Sequence, residues 1–277
     1  MHSPSARVFG HVLISVFLLT AFAFSYSALA DLANVSAPPH IIAWAWERDE
    51  DLSYLNPSQA SVAYFAGNVF VRGSLVSFRP RTQTLKLPDD IDTMPVFRIE
   101  TIRNGAQVPE LRAATLVAKT IAGAIEKTST RDWKKSGPLS MVQIDFDALA
   151  DERFFYRQLL NELRKELPQS TKISITALAS WLLSDRWLEQ DSADEAVAML
   201  FSIGPERQSV LTRLRKQALS NGVNIPICIG ISAGEKDTNR AIFKTEIQKK
   251  TKRLYLFSSR PWTDEKFRII TREALGQ

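Results

Sequence analysis

The sequence predicts an α/β fold of the (β/α)8, TIM-barrel-like kind, irregular in its first third. Three observations carry this. Strand-like and helix-like segments alternate along most of the chain. The strand-like segments number eight, the count that closes a parallel barrel. One of them, Val142-Gln143-Ile144-Asp145-Phe146-Asp147, alternates strictly between apolar and polar residues. In a strand that pattern puts Gln143, Asp145 and Asp147 on one face, and Val142, Ile144 and Phe146 on the other. A helix-like stretch follows at once, from Asp151 to Glu166. A strand that brings two carboxylates to its C-terminal end and then turns into a helix is how such a barrel presents catalytic acids.

The first thirty residues read as an export signal. Arg7 is their only charged side chain, Val12 to Phe24 is a mostly apolar core, and Ala28-Leu29-Ala30 is a small-x-small cleavage site. The apolar core is short for a membrane span, which needs about 20 residues. A cleaved, secreted or periplasmic protein is therefore expected, with an uncleaved anchor the second reading. Residues 31–277 form one domain of 247 residues, a typical size for a single barrel.

In that domain the expected strands are Ile41–Trp46, Val62–Phe65, Pro95–Ile102, Met141–Phe146, Lys172–Leu178, Glu195–Phe201, Ile225–Ile231 and Arg253–Phe257. Helical periodicity is clearest at Pro109–Lys127, Asp151–Glu166, Glu206–Asn221 and Asp264–Leu275. The irregular part comes early. Only Asp49 to about Gln59 separates the first two strands, and Val69–Arg72 with Ser74–Arg79 reads as a hairpin, not a helix.

Composition excludes several chemistries. The chain carries 35 Lys and Arg against 30 Asp and Glu, a mild excess that does not indicate nucleic acid. The three histidines are His2, His11 and His40, so only His40 survives cleavage. One histidine makes no usual zinc cluster and argues against a serine triad. No phosphate-loop or dinucleotide glycine pattern is present, so no cofactor is expected. A carboxylate-bound calcium has no loop signature here. The lone Cys228, inside an apolar strand, reads as a buried core thiol and forms no internal disulfide. The run Lys249 to Arg253 precedes the last strand, at the end of the barrel opposite the expected site, and reads as a solvated helix terminus. Any catalysis must therefore run on carboxylates.

Polar and aromatic residues gather where strands should end. Asp145 and Asp147 end the fourth strand; Glu47 follows the first; Arg98 and Glu100 share a face late in the third. Ser174 and Thr176 share a face of the fifth, and Ser258, Ser259 and Arg260 follow the eighth. Trp46, Trp181 and Trp262 can offer flat surfaces to sugar rings. Two carboxylates two residues apart on one strand are near enough to raise one pKa, as glycoside hydrolysis requires. Each has an equal structural reading, as a partner of Arg98 or Arg260 or as a helix cap. Trp44 and Trp46 alternate with Ala43 and Ala45, and their face can pack under the outer helices, which would turn Glu47 inward.

The segments Ala43 to Leu52, Val142 to Asp147, Ser174 to Trp181 and Asp194 to Phe201 resemble an exported bacterial family described as domain of unknown function 3142. The resemblance runs from about Ile41 to Gly230 and implies a barrel-like α/β domain with no established activity. A more distant similarity is to the chitinase-like barrels of glycoside hydrolase family eighteen, whose fourth strand carries alternating acids ending in a proton-donating Glu. Asp145 and Asp147 match the two inner aspartates, while the position of the donor is Leu149. Either another acid donates, with Glu47, Glu100 and Glu195 as candidates, or the site binds without cleaving.

The leading expectation is a protein acting on a glycan, with Asp145, Asp147, Glu47 and Glu100 as acids and Trp46, Arg98, Trp181 and Trp262 as substrate contacts. The alternative is a non-catalytic carbohydrate-binding or envelope-assembly protein. No nucleic acid, no metal and no membrane after signal cleavage are expected as partners.

Overall fold

The computed structural model describes residues 38–276, except 104, 106–107, 130–138, 184–192, 217–224 and 246–250. The expected export signal, Trp133, Trp187, Lys249, Lys250 and the end of the Glu206–Asn221 helix lie outside the described residues.

Eight parallel strands close into a barrel. They are β1 (His40–Ala45), β2 (Ala60–Arg72), β3 (Thr93–Thr101), β4 (Met141–Asp145), β5 (Lys172–Leu178), β6 (Glu195–Met199), β7 (Ile227–Ser232) and β8 (Arg253–Phe257). Each pairs with the next in chain order, and β8 returns to pair with β1. Helices α1 (Leu111–Ser129), α2 (Arg153–Glu166), α3 (Ala179–Leu183), α4 (Arg207–Arg215), α5 (Lys236–Phe243) and α6 (Asp264–Leu275) follow β3 to β8 in turn. The short α5 had no periodic signal, because eight residues are too few turns to show one. Helix α6 has the ends its sequence calls for. Thr263 caps its first turn by accepting from the Lys266 amide at 3.2 Å, and Gly276, at φ 70°, ends it in the left-handed conformation.

The first third departs from the regular pattern, as expected. β2 runs for 13 residues, turns back at Gly73 and Ser74, and pairs antiparallel with an arm, Leu75–Pro80. At Gly67 the register slips, and the arm crosses so closely that a Cβ there would lie 2.5 Å from the Arg79 carbonyl and 2.6 Å from the Phe78 ring. Gly67→Ala is therefore expected to cost about 1–3 kcal/mol, read as a lower urea midpoint.

Both faces of the barrel wall are buried, which explains the near-continuous apolar strands. Ile41, Ala43, Ala45, Ile144, Ile173 and Ile175 belong to the outer core under the helices, with Phe155, Tyr156, Leu159 and Leu163 of α2. Burying each such leucine contributes about 1.5–3 kcal/mol. Ile42, Trp44, Met94, Val96, Val197, Tyr255 and Phe257 fill the interior.

The barrel floor is polar. Glu195, 1% exposed, accepts from Arg253 Nη1 at 2.6 Å, Ser174 Oγ at 2.9 Å, Cys228 Sγ at 3.2 Å and the Tyr255 hydroxyl. From Ser174 the chain rises through Gln143 Nε2 (3.1 Å) to Trp44, whose Nε1 donates to Gln143 Oε1 at 2.8 Å. Two expectations change here. Cys228 is buried, yet its thiol is tied to this network, and burial followed by Glu195 pushes it up to about 12. Trp44 faces the interior with Trp46 packed against it, while Ala43 and Ala45 lie under the outer layer. On β1's outer face Ile41, Ala43 and Ala45 are buried in the outer core, to which Trp262 also belongs.

Candidate functional site

Stepping by two along each strand gives the residues at the C-terminal mouth, because alternate side chains share the inner face. Trp44 and Trp46 come from β1 and its end, Arg98 from β3, Asp145 and Asp147 from β4 and its end. Leu178 comes from β5, Met199 and Phe201 from β6, Ser232 from β7, and Phe257 and Ser259 from β8. With Arg48, Ser202 and Ser258 they line a cleft of ≈ 470 Å³. This is the end where barrels of this kind carry their sites.

Arg98 is the centre. Its Nη1 donates to Asp145 Oδ2 at 2.7 Å, its Nη2 to Asp147 Oδ2 at 3.4 Å, and its Nε lies 3.5 Å from Glu100 Oε1. Thr176 Oγ1 donates to the other Asp145 oxygen at 2.8 Å. Asp145 is thus buried with both oxygens engaged, while the Asp147 carboxylate is 46% exposed. Burial holds Asp145 above the usual carboxylate range, with Asp147 adding to the shift and Arg98 and Thr176 opposing it. Burial pulls Arg98 down, but the carboxylates outweigh it and raise its pKa.

An aromatic wall stands beside the acids. Trp46 stacks on Trp44 with centroids 4.7 Å apart, Phe257 lies 4.9 Å from Trp44, and Phe201 4.7 Å from Phe257. The Arg98 guanidinium sits 5.6 Å from the centre of the Trp46 ring. Ser202, at φ 53°, is held by the Glu235 carboxylate, which accepts from its amide at 2.7 Å and so fixes the turn that carries Phe201.

The structure brings together Asp145, Asp147, Arg98, Glu100 and Trp46 from the expected set. It sets the others apart. Glu47 pairs through both oxygens with Arg79 of the arm. Trp181, 3% exposed, packs edge-on against Tyr156 in the outer core. Trp262, 4% exposed, donates from Nε1 to the Trp44 carbonyl at 2.9 Å and packs on Phe267, bracing β1 from outside. Glu195 belongs to the floor. Leu149 is exposed, its amide donating to Glu152 Oε2. Sequence reading missed Arg48, Leu178, Met199, Phe201, Ser202, Ser232 and Phe257 as lining residues. Strand parity could have found Met199, Phe201, Ser232 and Phe257. Among the described residues, no three His, Cys, Asp or Glu side chains gather as metal ligands.

Fold and site together define a closed parallel barrel of the TIM-barrel-like class, with an acidic, aromatic-walled cleft at the strand ends. Residues 93–218 match the family described as Domain of unknown function (DUF3142), which bears out the resemblance read from the sequence. No curated protein matches the chain in sequence. Among solved structures, the spore cortex-lytic enzyme SleL of Bacillus cereus aligns with a TM-score of 0.53 and 12% identity, over 86% of this chain and 75% of that one. SleL of Bacillus megaterium QM B1551 aligns with a TM-score of 0.53 and 11% identity, over the same shares. A xylanase-alpha-amylase inhibitor protein, XAIP-I, solved with trehalose, aligns with a TM-score of 0.51 and 12% identity, over 87% of this chain and 99% of that one. At these identities the likeness is one of fold.

Proposed function

We propose that this is an exported, glycoside-hydrolase-like barrel that binds a glycan in the cleft at its C-terminal mouth. The observation that carries the reading is the aromatic wall of Trp46, Phe201 and Phe257 standing beside the Arg98–Asp145–Asp147 cluster. Apolar ring faces and hydroxyl-binding carboxylates are the two surfaces a sugar presents needs for. In this reading the sugar packs on the wall and gives a hydroxyl to Asp147, the acid that keeps contact with water. Arg98 holds Asp147 in place, and Asp145 and Thr176 hold Arg98. Neighbours named for cortex lysis and solved with trehalose support a carbohydrate partner. Export is supported by Arg7, the Val12–Phe24 run and Ala28-Leu29-Ala30.

Hydrolysis is a second reading, favoured by one observation. Asp145 holds its proton above the usual carboxylate range beside the exposed Asp147, the pairing that separates an acid from a base. Against it stands Leu149 at the family donor's position. Incubation with envelope polysaccharide decides between them. Hydrolysis predicts new reducing ends, lost in Asp147→Asn. Glycan binding with no reducing ends from either form leaves the binding reading alone.

A further inference from the structure

We infer that Arg81, which is not among the residues lining the cleft, is the positioning residue of its Trp46 wall. Recognition then depends on the end of the arm as well as on the barrel; this rests on the glycan-binding reading above.

β1 ends at Ala45, and the chain turns sharply just beyond it, where the Arg48 amide donates to the Trp46 carbonyl at 2.9 Å. Trp46 and Arg48, on either side of Glu47, both line the cleft. Their carbonyls converge on one guanidinium. Arg81 Nη1 donates to the Trp46 carbonyl at 2.5 Å, and its Nη2 donates to the Arg48 carbonyl and, at 3.3 Å, to that of Thr84. Its Nε donates to the Gln83 carbonyl at 3.0 Å, which fixes the guanidinium plane against its own loop. A guanidinium is a rigid planar fork, so it sets two carbonyls relative to each other, whereas an ammonium is a point charge on a flexible stem. The neighbouring arginines bind differently. Arg79 pairs with Glu47, and Arg48 with Glu50 at 2.6 Å. Arg81 directs its donors to main-chain carbonyls, so what it fixes is the backbone that carries Trp46 and Arg48.

Arg81 is itself anchored. Its side chain is half-buried, and its amide donates to the Ala66 carbonyl at 2.9 Å, beside the register slip at Gly67. The segment that follows runs back along the same turn. The Thr84 amide donates to Asp49 Oδ1 at 2.7 Å, and the Glu50 amide to the Thr84 carbonyl at 3.0 Å. The fork thus ties the tip of β1 to the place where the arm leaves β2. Trp46 carries that position into the cleft, through its stack on Trp44 and its place 5.6 Å from the Arg98 guanidinium. Arg48 carries it across the closing seam of the barrel, where its Nη2 donates to the Ser258 and Arg260 carbonyls at 2.8 and 3.0 Å.

Two variants of the full chain separate the fork from its charge. Arg81→Lys keeps a cation and an aliphatic stem; Arg81→Ala removes both. The first readout is the circular-dichroism couplet of the stacked Trp44 and Trp46, taken as the signal that Trp46→Ala abolishes. The second is calorimetric affinity for N-acetylglucosamine oligosaccharides. Both variants are expected to lose most of the couplet and to bind about tenfold more weakly, short of the loss from removing the aromatic anchor itself. A couplet retained in Arg81→Lys, or affinity within about twofold of the unaltered protein in either variant, overturns the assignment. Arg81→Lys decides the matter if Arg81→Ala fails to fold. Loss of the couplet, with no oligosaccharide bound by the unaltered protein, overturns the glycan reading and leaves the positioning of Trp46 standing.

Discussion

Arg98→Met is expected to lower the unfolding free energy by about 3 kcal/mol at neutral pH, the low end for breaking a buried ion pair. Asp145 keeps only the Thr176 hydroxyl as a partner once the guanidinium is gone, and its carboxylate stays buried. The loss is expected as a lower urea midpoint with an unchanged slope. Its pH dependence has a definite sign. Burial holds the folded-state pKa of Asp145 above its unfolded value near 3.8. A group whose folded pKa is raised contributes most below the unfolded pKa and loses that contribution as pH rises through the folded one. Removing Arg98 takes away an opposing influence and raises the folded pKa further. The deficit of Arg98→Met relative to the unaltered protein should therefore be smaller at about pH 4 than at pH 7. Adding Asp145→Asn should recover part of the neutral-pH loss, because no buried charge is then left alone. A deficit that does not change with pH, or no recovery in the double variant, would mean that the pair is not held as described.

Trp46→Ala is expected to weaken oligosaccharide binding by at least about 30-fold, the loss typical of a buried aromatic anchor in a recognition site. The indole carries the wall nearest to Arg98 and keeps Trp44 and Phe65 in place. Because Trp46 is only half-buried at the mouth, the fold should survive the change, and the thermal midpoint distinguishes lost contact from lost structure. Binding within a few-fold of the unaltered protein would move the glycan away from this wall.

Much of this architecture was legible in the amino-acid order, and the reasons differ between elements. The strand Met141–Asp145 was readable because its one polar face is the barrel interior, so alternation survives where both faces are buried. That strand gave Asp145 and Asp147, and the same parity tied Arg98 to Glu100. The face of β1 was not readable. Trp44 and Trp46 alternate with Ala43 and Ala45, and hydrophobicity alone does not separate the inside of a barrel from its outside. Packing decides it: the tryptophans fill the wide mouth, and the alanines, with Ile41, are buried in the outer core. Glu47, Trp181 and Trp262 were placed by their nearness to strand ends. Nearness in sequence does not fix where a loop side chain points, and Arg79, Tyr156 and Phe267 claimed them. Arg79 lies 32 residues from Glu47, on an arm whose crossing depends on Gly67, a contact that no local pattern encodes. The floor network around Glu195 gathers residues from β5 to β8 and was equally hidden.

The most direct measurement of the central claim is a crystal structure of the protein soaked with an oligosaccharide it binds. A sugar ring is expected against the wall of Trp46, Phe201 and Phe257, with a hydroxyl within hydrogen-bond distance of Asp147. A sugar bound elsewhere on the barrel, with that cleft empty, would contradict it.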